Sequence, residues 1–126
     1  MIDINKQIAY WKDSAHEDWL VANELVNSGR IRHGLFFVHL ALEKALKAHV
    51  CKKIGDISPQ IHNLLKLVEL AGLGLNERQT THLAVMNSFN LEGRYPDTES
   101  PVPSKKQAAA YLDGAGEILQ WLTQAL

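Results

Sequence analysis

The sequence is poor in the residues that stabilise small secreted folds and metal clusters. Its 126 residues include one cysteine, Cys51, so an internal disulfide and a zinc site built from several cysteines are excluded. We expect this cysteine to be a small, partly buried apolar residue, because nothing near it favours a reactive thiol. No His-Glu-x-x-His pattern occurs, and neither a metal nor another cofactor is expected.

Long apolar stretches and a strong charge of either sign are also missing. The longest strongly apolar run covers residues 35–42, which is too short to cross a bilayer, and the N-terminus lacks the basic and apolar regions of a signal peptide. These features predict a cytoplasmic protein that does not enter a membrane. The formal net charge is -1, so any binding of nucleic acid has to come from a local basic patch.

The composition is that of an ordinary globular domain, with 46% hydrophobic and 21% charged residues. At this length, a single domain over residues 1–126 is expected. Apolar residues recur with a helical period nearly throughout, and no alternating strand pattern occurs. The sequence therefore predicts an all-α protein, an antiparallel up-and-down bundle of four to five helices.

Capping and stop residues divide the chain into five predicted helices. They cover, in order, residues 5–27, 32–53, 58–71, 77–89 and 105–126. The third is predicted to begin at Ser58-Pro59, because proline suits the first helical position. Ser104 and Gln107 resemble a capping box that opens the fifth. Residues 90–104 hold three prolines and are predicted to form a long loop. The other predicted N-caps and stops are Asp3, Asn76 and Gly55.

The second predicted helix is apolar on almost all sides, with a narrow polar wedge of Glu43, Lys44 and Lys47. Such a helix is central to a bundle or buries one face in a partner chain, so a homo-oligomer is expected. His39, Glu43 and Lys47 follow one another at intervals of four and share one stripe. Two interpretations remain open: a solvated edge of the helix, or a cationic pocket for a phosphate in which Glu43 holds the lysine.

An acidic residue, Asp18, interrupts the apolar seam of the first predicted helix. A buried carboxylate is costly unless it is paired and hydrogen-bonded, so a cation is expected opposite it. The cations that could serve are Lys44, Lys47 and Arg94. The pair is either a structural lock between the first two helices or an acid that orients a phosphate-binding lysine.

The predicted loop contains the segment Arg94-Tyr95-Pro96-Asp97. Arginine recognises phosphate through its planar fork, and a neighbouring aromatic ring can stack on a base. Proline stiffens the turn. The segment is either a generic loop or part of a nucleotide site.

Together these residues resemble the HEPN family over nearly the whole chain. The resemblance is carried by Ala15-x-x-Asp18-Trp19, Glu43-Lys44-x-Leu46-Lys47-Ala48, His62-x-Leu64 and Arg94-Tyr95-Pro96. It implies an antiparallel helical bundle, often dimeric, that binds nucleotide or RNA. It also implies a minimal nucleotidyltransferase as partner subunit, in some members as part of a toxin–antitoxin pair.

The site expected from this resemblance has two groups of residues. The ligand-binding residues are expected to be Lys44, Lys47, Arg94 and Tyr95. The supporting residues are expected to be Asp18, His39, Glu43 and His62. A phosphate is expected near Lys47 and Arg94, with the ring of Tyr95 close to the base. His62 is also expected to open the third helix as a capping or packing residue.

A second branch of the family consists of metal-independent ribonucleases, whose motif is an arginine followed after four to six residues by a histidine. This sequence departs from that motif, because Arg78 and His82 have only three residues between them and Arg32 and His39 lie too early in the chain. The favoured hypothesis is a binding module without its own catalysis. The alternatives are a ribonuclease that uses His39 or His82 as general acid/base, and a purely structural dimerisation domain.

Overall fold

A computed structural model describes residues 2–94 and 101–126, without the side chains of residues 92–94. Its helices are α1 (Ile4–Asn27), α2 (Ile31–Ile54), α3 (Leu64–Ala71), α4 (Glu77–Arg94) and α5 (Lys105–Gln124). No strand occurs in these two ranges, and the predicted all-α class is confirmed. None of the helices in the described part of the chain is long and apolar enough to cross a membrane.

Contacts between α1 and α2 show that these two long helices are antiparallel. Gly34, near the start of α2, lies against Val26 near the end of α1. Lys47, near the end of α2, lies over the ring of Trp11 near the start of α1. The turn between the helices is short and contains Gly29 at a φ of 88°, a backbone conformation that favours glycine. The two helices therefore form an αα-hairpin.

The second half of the chain completes the up-and-down bundle. The carbonyl of Leu122 on α5 lies 2.7 Å from Nε2 of His49 on α2, and Lys52 donates to the carbonyl of Ala125 at 3.2 Å. The later residue of α2 contacts the later residue at the end of the chain, so α2 and α5 are parallel. On α4, Phe89 packs against Tyr111 of α5, whereas the earlier residue His82 packs against the later residue Gly114. Helices α4 and α5 are therefore antiparallel.

The centre of the bundle is α2, which contacts all four other helices. Of its 24 residues, 15 are buried, including Cys51. Full burial of one aliphatic side chain contributes roughly 1.5–3 kcal/mol, so this helix supplies much of the core. The apolar surface that suggested a dimer face is therefore used inside the chain itself.

The predicted start of α3 at Ser58-Pro59 is wrong, because α3 begins at Leu64. Asn63 is its N-cap, and the side-chain oxygen accepts a hydrogen bond from the amide of Lys66 at 3.2 Å. The side chain of Asn87 on α4 accepts from the amide of Leu64 at 2.8 Å. Two asparagines thus satisfy the free amides that every helix start presents, and one of them is distant in sequence.

The predicted loop over residues 90–104 begins too early, because α4 continues to Arg94. Gly93 lies within this last turn. A glycine costs a helix about 1 kcal/mol, which is too little to end it where no proline intervenes. The other predicted caps are confirmed: Asp3, Gly55 and Asn76, and the capping box of Ser104 and Gln107.

The close approach of α1 and α2 at Gly34 leads to a stability prediction. A Cβ atom at Gly34 would lie 2.4 Å from Cγ2 of Val26 and 3.0 Å from its backbone nitrogen. Alanine favours the helix by about 1 kcal/mol, but the overpacking should exceed this gain. We expect Gly34→Ala to lower the free energy of unfolding by about 1–2 kcal/mol in a urea titration.

The matched control is Gly74→Ala, because a Cβ at Gly74 has no neighbour within 4 Å. This variant should change the free energy of unfolding by no more than about 0.5 kcal/mol. A Gly34→Ala protein as stable as the Gly74→Ala protein would contradict the close approach of the two helices.

Candidate functional site

A polar cluster interrupts the apolar core where α2 meets α1, α4 and the segment before α3. Its members on α2 are His39, Glu43 and Lys47, and all three are buried. The interpretation of this row as a solvated helix edge is therefore wrong. The row is an internal polar stripe on the most buried helix of the bundle.

Glu43 lies at the centre of the cluster and binds partners through both carboxylate oxygens. Its Oε2 lies 3.1 Å from Nζ of Lys47, and its Oε1 lies 3.1 Å from Nδ1 of His62. The side chains of Glu43 and Lys47 are 5% and 7% exposed, whereas that of His62 is 49% exposed. Glu43 thus connects a buried lysine to a histidine at the protein surface.

The ammonium group of Lys47 is enclosed on two sides. The carboxylate of Glu43 accepts from it on one side, and the ring of Trp11 lies with its centroid 5.1 Å away. A cation over an aromatic face is attracted by the ring quadrupole, and more strongly when water is excluded. Lys47 therefore lies beneath the surface and does not present its ammonium group to solvent.

His39 occupies the inner end of the cluster and is fully buried. Its Nδ1 accepts a hydrogen bond from the side-chain amide of Asn90 at 3.3 Å and lies 3.7 Å from Oε1 of Glu43. Burial lowers the pKa of His39 to about 4, and the nearby Glu43 carboxylate offsets only part of that effect. At neutral pH the ring is uncharged, so the charge of Glu43 is balanced by Lys47.

A second ion pair joins α1 to α2 beside this cluster. Nζ of Lys44 lies 2.7 Å from Oδ2 of Asp18 and donates to Oγ of Ser14 at 2.8 Å. The cation expected opposite Asp18 is therefore Lys44. Together with the pair of Glu43 and Lys47, this makes two lysines and two carboxylates, whose formal charges cancel.

The remaining expected ligand residues lie at the end of α4 and beyond it. Arg94 is the last residue of α4, one helical turn after Asn90. Its side chain lies outside the described residues, as do Tyr95, Pro96 and Asp97. The end of α4 is thus close in sequence to the amide that contacts His39.

Sequence reasoning did not find several polar neighbours of the cluster. Asn87 and Asn90 are three residues apart and face α3 and His39, while Ser14 precedes Asp18 by one turn. The available signal was spacing by one helical turn, which places Ser14 on the same face as Asp18 and Asn87 on the same face as Asn90. The ring of Trp11 on α1, which covers the buried lysine, was not singled out either.

His62 does not open α3 as expected. It precedes the N-cap and contacts Glu43 from the connecting segment. Its ring is therefore held by the carboxylate and takes no part in the capping of the helix. Within the described ranges, no group of three or more His, Cys, Asp or Glu residues is arranged to hold a metal ion.

A groove of about 1040 Å³ lies between α4 and α5, and none of the cluster residues lines it. Arg78 and His82 lie on its α4 side, and Asp113 and Glu117 on its α5 side. The ring of His82 packs against Gly114, and burial lowers its pKa. With Glu77 also lining this groove, three carboxylates would face a bound phosphate, so Arg78 and His82 form a poorer anion site than the cluster.

The comparisons with known proteins agree with this architecture. A family model described as HEPN domain matches residues 8–125. The crystal structure of TT1696 from Thermus thermophilus is 23% identical, with a TM-score of 0.79 over 95% of this chain and 98% of that one. The structure of ST0689, an archaeal HEPN homologue, is 20% identical, with a TM-score of 0.73 over 94% and 96%. No curated protein matches this chain significantly.

The enclosed ion pair of Glu43 and Lys47 leads to a second stability prediction. Lys47→Met keeps the apolar stem but leaves the buried carboxylate without its cation. We expect the free energy of unfolding to fall by about 3 kcal/mol at pH 8, where imidazoles are uncharged, in a urea titration. The control is Lys66→Met, which removes the exposed partner of Glu69 and should cost less than about 0.5 kcal/mol. Equal losses in the two variants would contradict an enclosed pair.

The buried ring of His39 predicts a loss of stability in acid. The folded chain holds the pKa of His39 at about 4, against 6.5 for an ordinary histidine. Only the unfolded chain binds a proton between these values, so this contribution is intact above pH 6.5 and is lost as the pH falls towards 4. The slope is up to about 1.4 kcal/mol per pH unit.

Urea titrations from about pH 6.5 to about pH 5 measure this slope before most carboxylates protonate. His39→Gln should reduce the slope of stability against pH by the equivalent of about one bound proton. His16→Gln, at an exposed position, should leave the slope unchanged. Identical slopes in the His39→Gln and wild-type proteins would show that His39 is not held neutral by burial.

Proposed function

Because the chain belongs to the HEPN family, whose model covers residues 8–125, we propose that it binds the phosphate of a nucleotide or of RNA. The observation that carries this proposal is the buried pair of Glu43 and Lys47, which continues to the half-exposed His62. The family resemblance supplies the ligand class, and the cluster supplies polar groups on a helix that is otherwise apolar.

The cost of this cluster supports a functional role. Burial of two charged side chains requires their desolvation, and a well-packed apolar pair of similar size is often at least as stable. A fold that needed only stability would therefore gain from leucine or methionine at Glu43 and Lys47. Violations of core packing rules of this kind are concentrated at functional sites.

The balance of charges indicates which residue attracts the phosphate. The carboxylates of Asp18 and Glu43 offset Lys44 and Lys47, so these two pairs alone supply no net attraction for an anion. Arg94 follows one helical turn after Asn90 and adds one positive charge at this end of α4. We assign the main phosphate contact to Arg94, which fits the planar recognition of phosphate oxygens.

The lysines and the aromatic residue have secondary roles in this site. Lys44 is 23% exposed and can reach a bound phosphate while Asp18 orients it. Lys47 acts through Glu43, because it holds the buried carboxylate that contacts His62. Tyr95 follows Arg94 directly and is assigned to stack on the base.

We also propose that the chain acts with a minimal nucleotidyltransferase subunit, in the manner of a toxin–antitoxin pair, and that it self-associates. The support for these partners is the family resemblance. The apolar character of α2 no longer adds to it, because that helix is buried by the chain's own helices. A cytoplasmic location, expected from the sequence, accords with such a role.

The ribonuclease alternative gains no support from the two histidines considered for it. His39 is fully buried beside Glu43, and the ring of His82 is packed against Gly114 of α5. A general acid or base has to come within hydrogen-bond reach of the substrate. His39 is out of reach of an RNA strand, and His82 lines a groove whose carboxylates would repel the RNA backbone.

A thermal-shift panel of nucleotides and short RNA tests the binding proposal. A ligand at about one hundred times its Kd adds roughly 2.7 kcal/mol of stability, which should raise the Tm by several degrees. At the same ligand concentration, Arg94→Gln should lose most of the shift because the main phosphate contact is removed.

The control is Arg30→Gln, which removes the same charge from an exposed position outside the cluster and should keep the shift. A full shift in Arg94→Gln would place the ligand elsewhere. The absence of a shift with every nucleotide and RNA would contradict phosphate binding by the chain on its own.

A further inference from the structure

We propose that His62 makes phosphate binding at this site dependent on pH, because its Nε2 can donate to a phosphate oxygen only when the ring is protonated. This inference rests on the proposed function, since it concerns the same site. It assigns to His62 a direct ligand contact in addition to the supporting role that the sequence suggests.

The contact with Glu43 determines where the neutral ring carries its proton. Nδ1 of His62 lies 3.1 Å from Oε1 of Glu43. An ionised carboxylate only accepts hydrogen bonds, so Nδ1 has to be the donor and Nε2 of the neutral ring has a bare lone pair. The oxygens of a phosphodiester also only accept. A neutral His62 therefore has no hydrogen bond to offer a phosphate.

Protonation changes both the charge and the donor at the surface. A proton on Nε2 creates an N–H group that can donate to a phosphate oxygen, and it adds one positive charge. The alternative for the neutral ring is to move its single proton to Nε2, which removes the hydrogen bond to Glu43. That carboxylate is 5% exposed, so solvent replaces the lost bond poorly.

The groups that face His62 are described on three helices. From α2, the ring faces Glu43, with Lys47 behind the carboxylate and His39 nearby. His39 stays neutral in this range, because burial holds its pKa at about 4. On α3, Lys66 has its own carboxylate partner, and the neighbours described on α4 are uncharged asparagines.

The test is the affinity for a short oligouridylate labelled with rhodamine, measured by fluorescence anisotropy at pH 8 and pH 5.5. Internal phosphodiesters keep one charge each over this range, so a change in affinity reports on the protein. We expect binding to be roughly tenfold tighter at pH 5.5, as for one hydrogen bond from a charged donor. His62→Gln should bind with nearly the same affinity at both pH values.

Two further measurements separate a ligand contact from a structural effect. At pH 5.5, the plot of log affinity against log salt should be steeper for the wild type than for His62→Gln by about 0.7, the value for one phosphate of a single strand. His16→Gln, which removes an exposed histidine of α1, should keep the full pH dependence. Thermal unfolding of each variant checks that it is folded.

The outcomes distinguish this inference from the function on which it rests. RNA binding that is equal at the two pH values, or a His62→Gln protein with the wild-type pH dependence and salt slope, overturns the role of His62 and leaves phosphate binding in place. No binding of the oligouridylate at either pH overturns RNA binding itself together with this inference.

Discussion

A carboxylate enclosed in a helical bundle has to be satisfied by the groups around it, and Glu43 imposes this requirement on the whole site. It lies on α2, which contacts every other helix, so its partners come from different parts of the chain. Lys47 reaches it from the next turn of α2, and His62 reaches it from the segment before α3. The position of that segment, and hence the start of α3, is tied to the hydrogen bonding of one buried carboxylate.

The same requirement separates the cluster into an interior and a surface. Lys47 is enclosed between Glu43 and the ring of Trp11, so its charge is already neutralised within the fold before a ligand arrives. Lys44 is similarly paired with Asp18. An anion site built on these pairs needs further positive charge at its outer edge. In the proposed site, stability depends on the enclosed pairs and phosphate binding depends on the residues at the outer edge.

The sequence predicted correctly those features that depend on neighbouring residues, or on one polar residue that interrupts an apolar pattern. Asp18 on an apolar seam correctly predicted a cation on the neighbouring helix, and the helical period predicted the bundle. The burial of the row from His39 to Lys47 could not be derived, because a helix that is apolar all round does not reveal which side its neighbours cover. The start of α3 was missed for a related reason: the side chain of Asn87 that helps to cap it comes from another helix.

His39 and His62 show that position decides the role of a histidine beside the same acid. Both rings approach Oε1 of Glu43, at 3.7 Å and 3.1 Å. His39 is fully buried, and the cost of desolvating its charged form outweighs the attraction of the carboxylate, so its pKa falls. Its proton uptake then accompanies unfolding. His62 has half of its side chain in solvent, so its outer ring edge is accessible while the bundle stays folded. One carboxylate thus contacts both a core histidine that makes the fold sensitive to acid and a histidine at the surface.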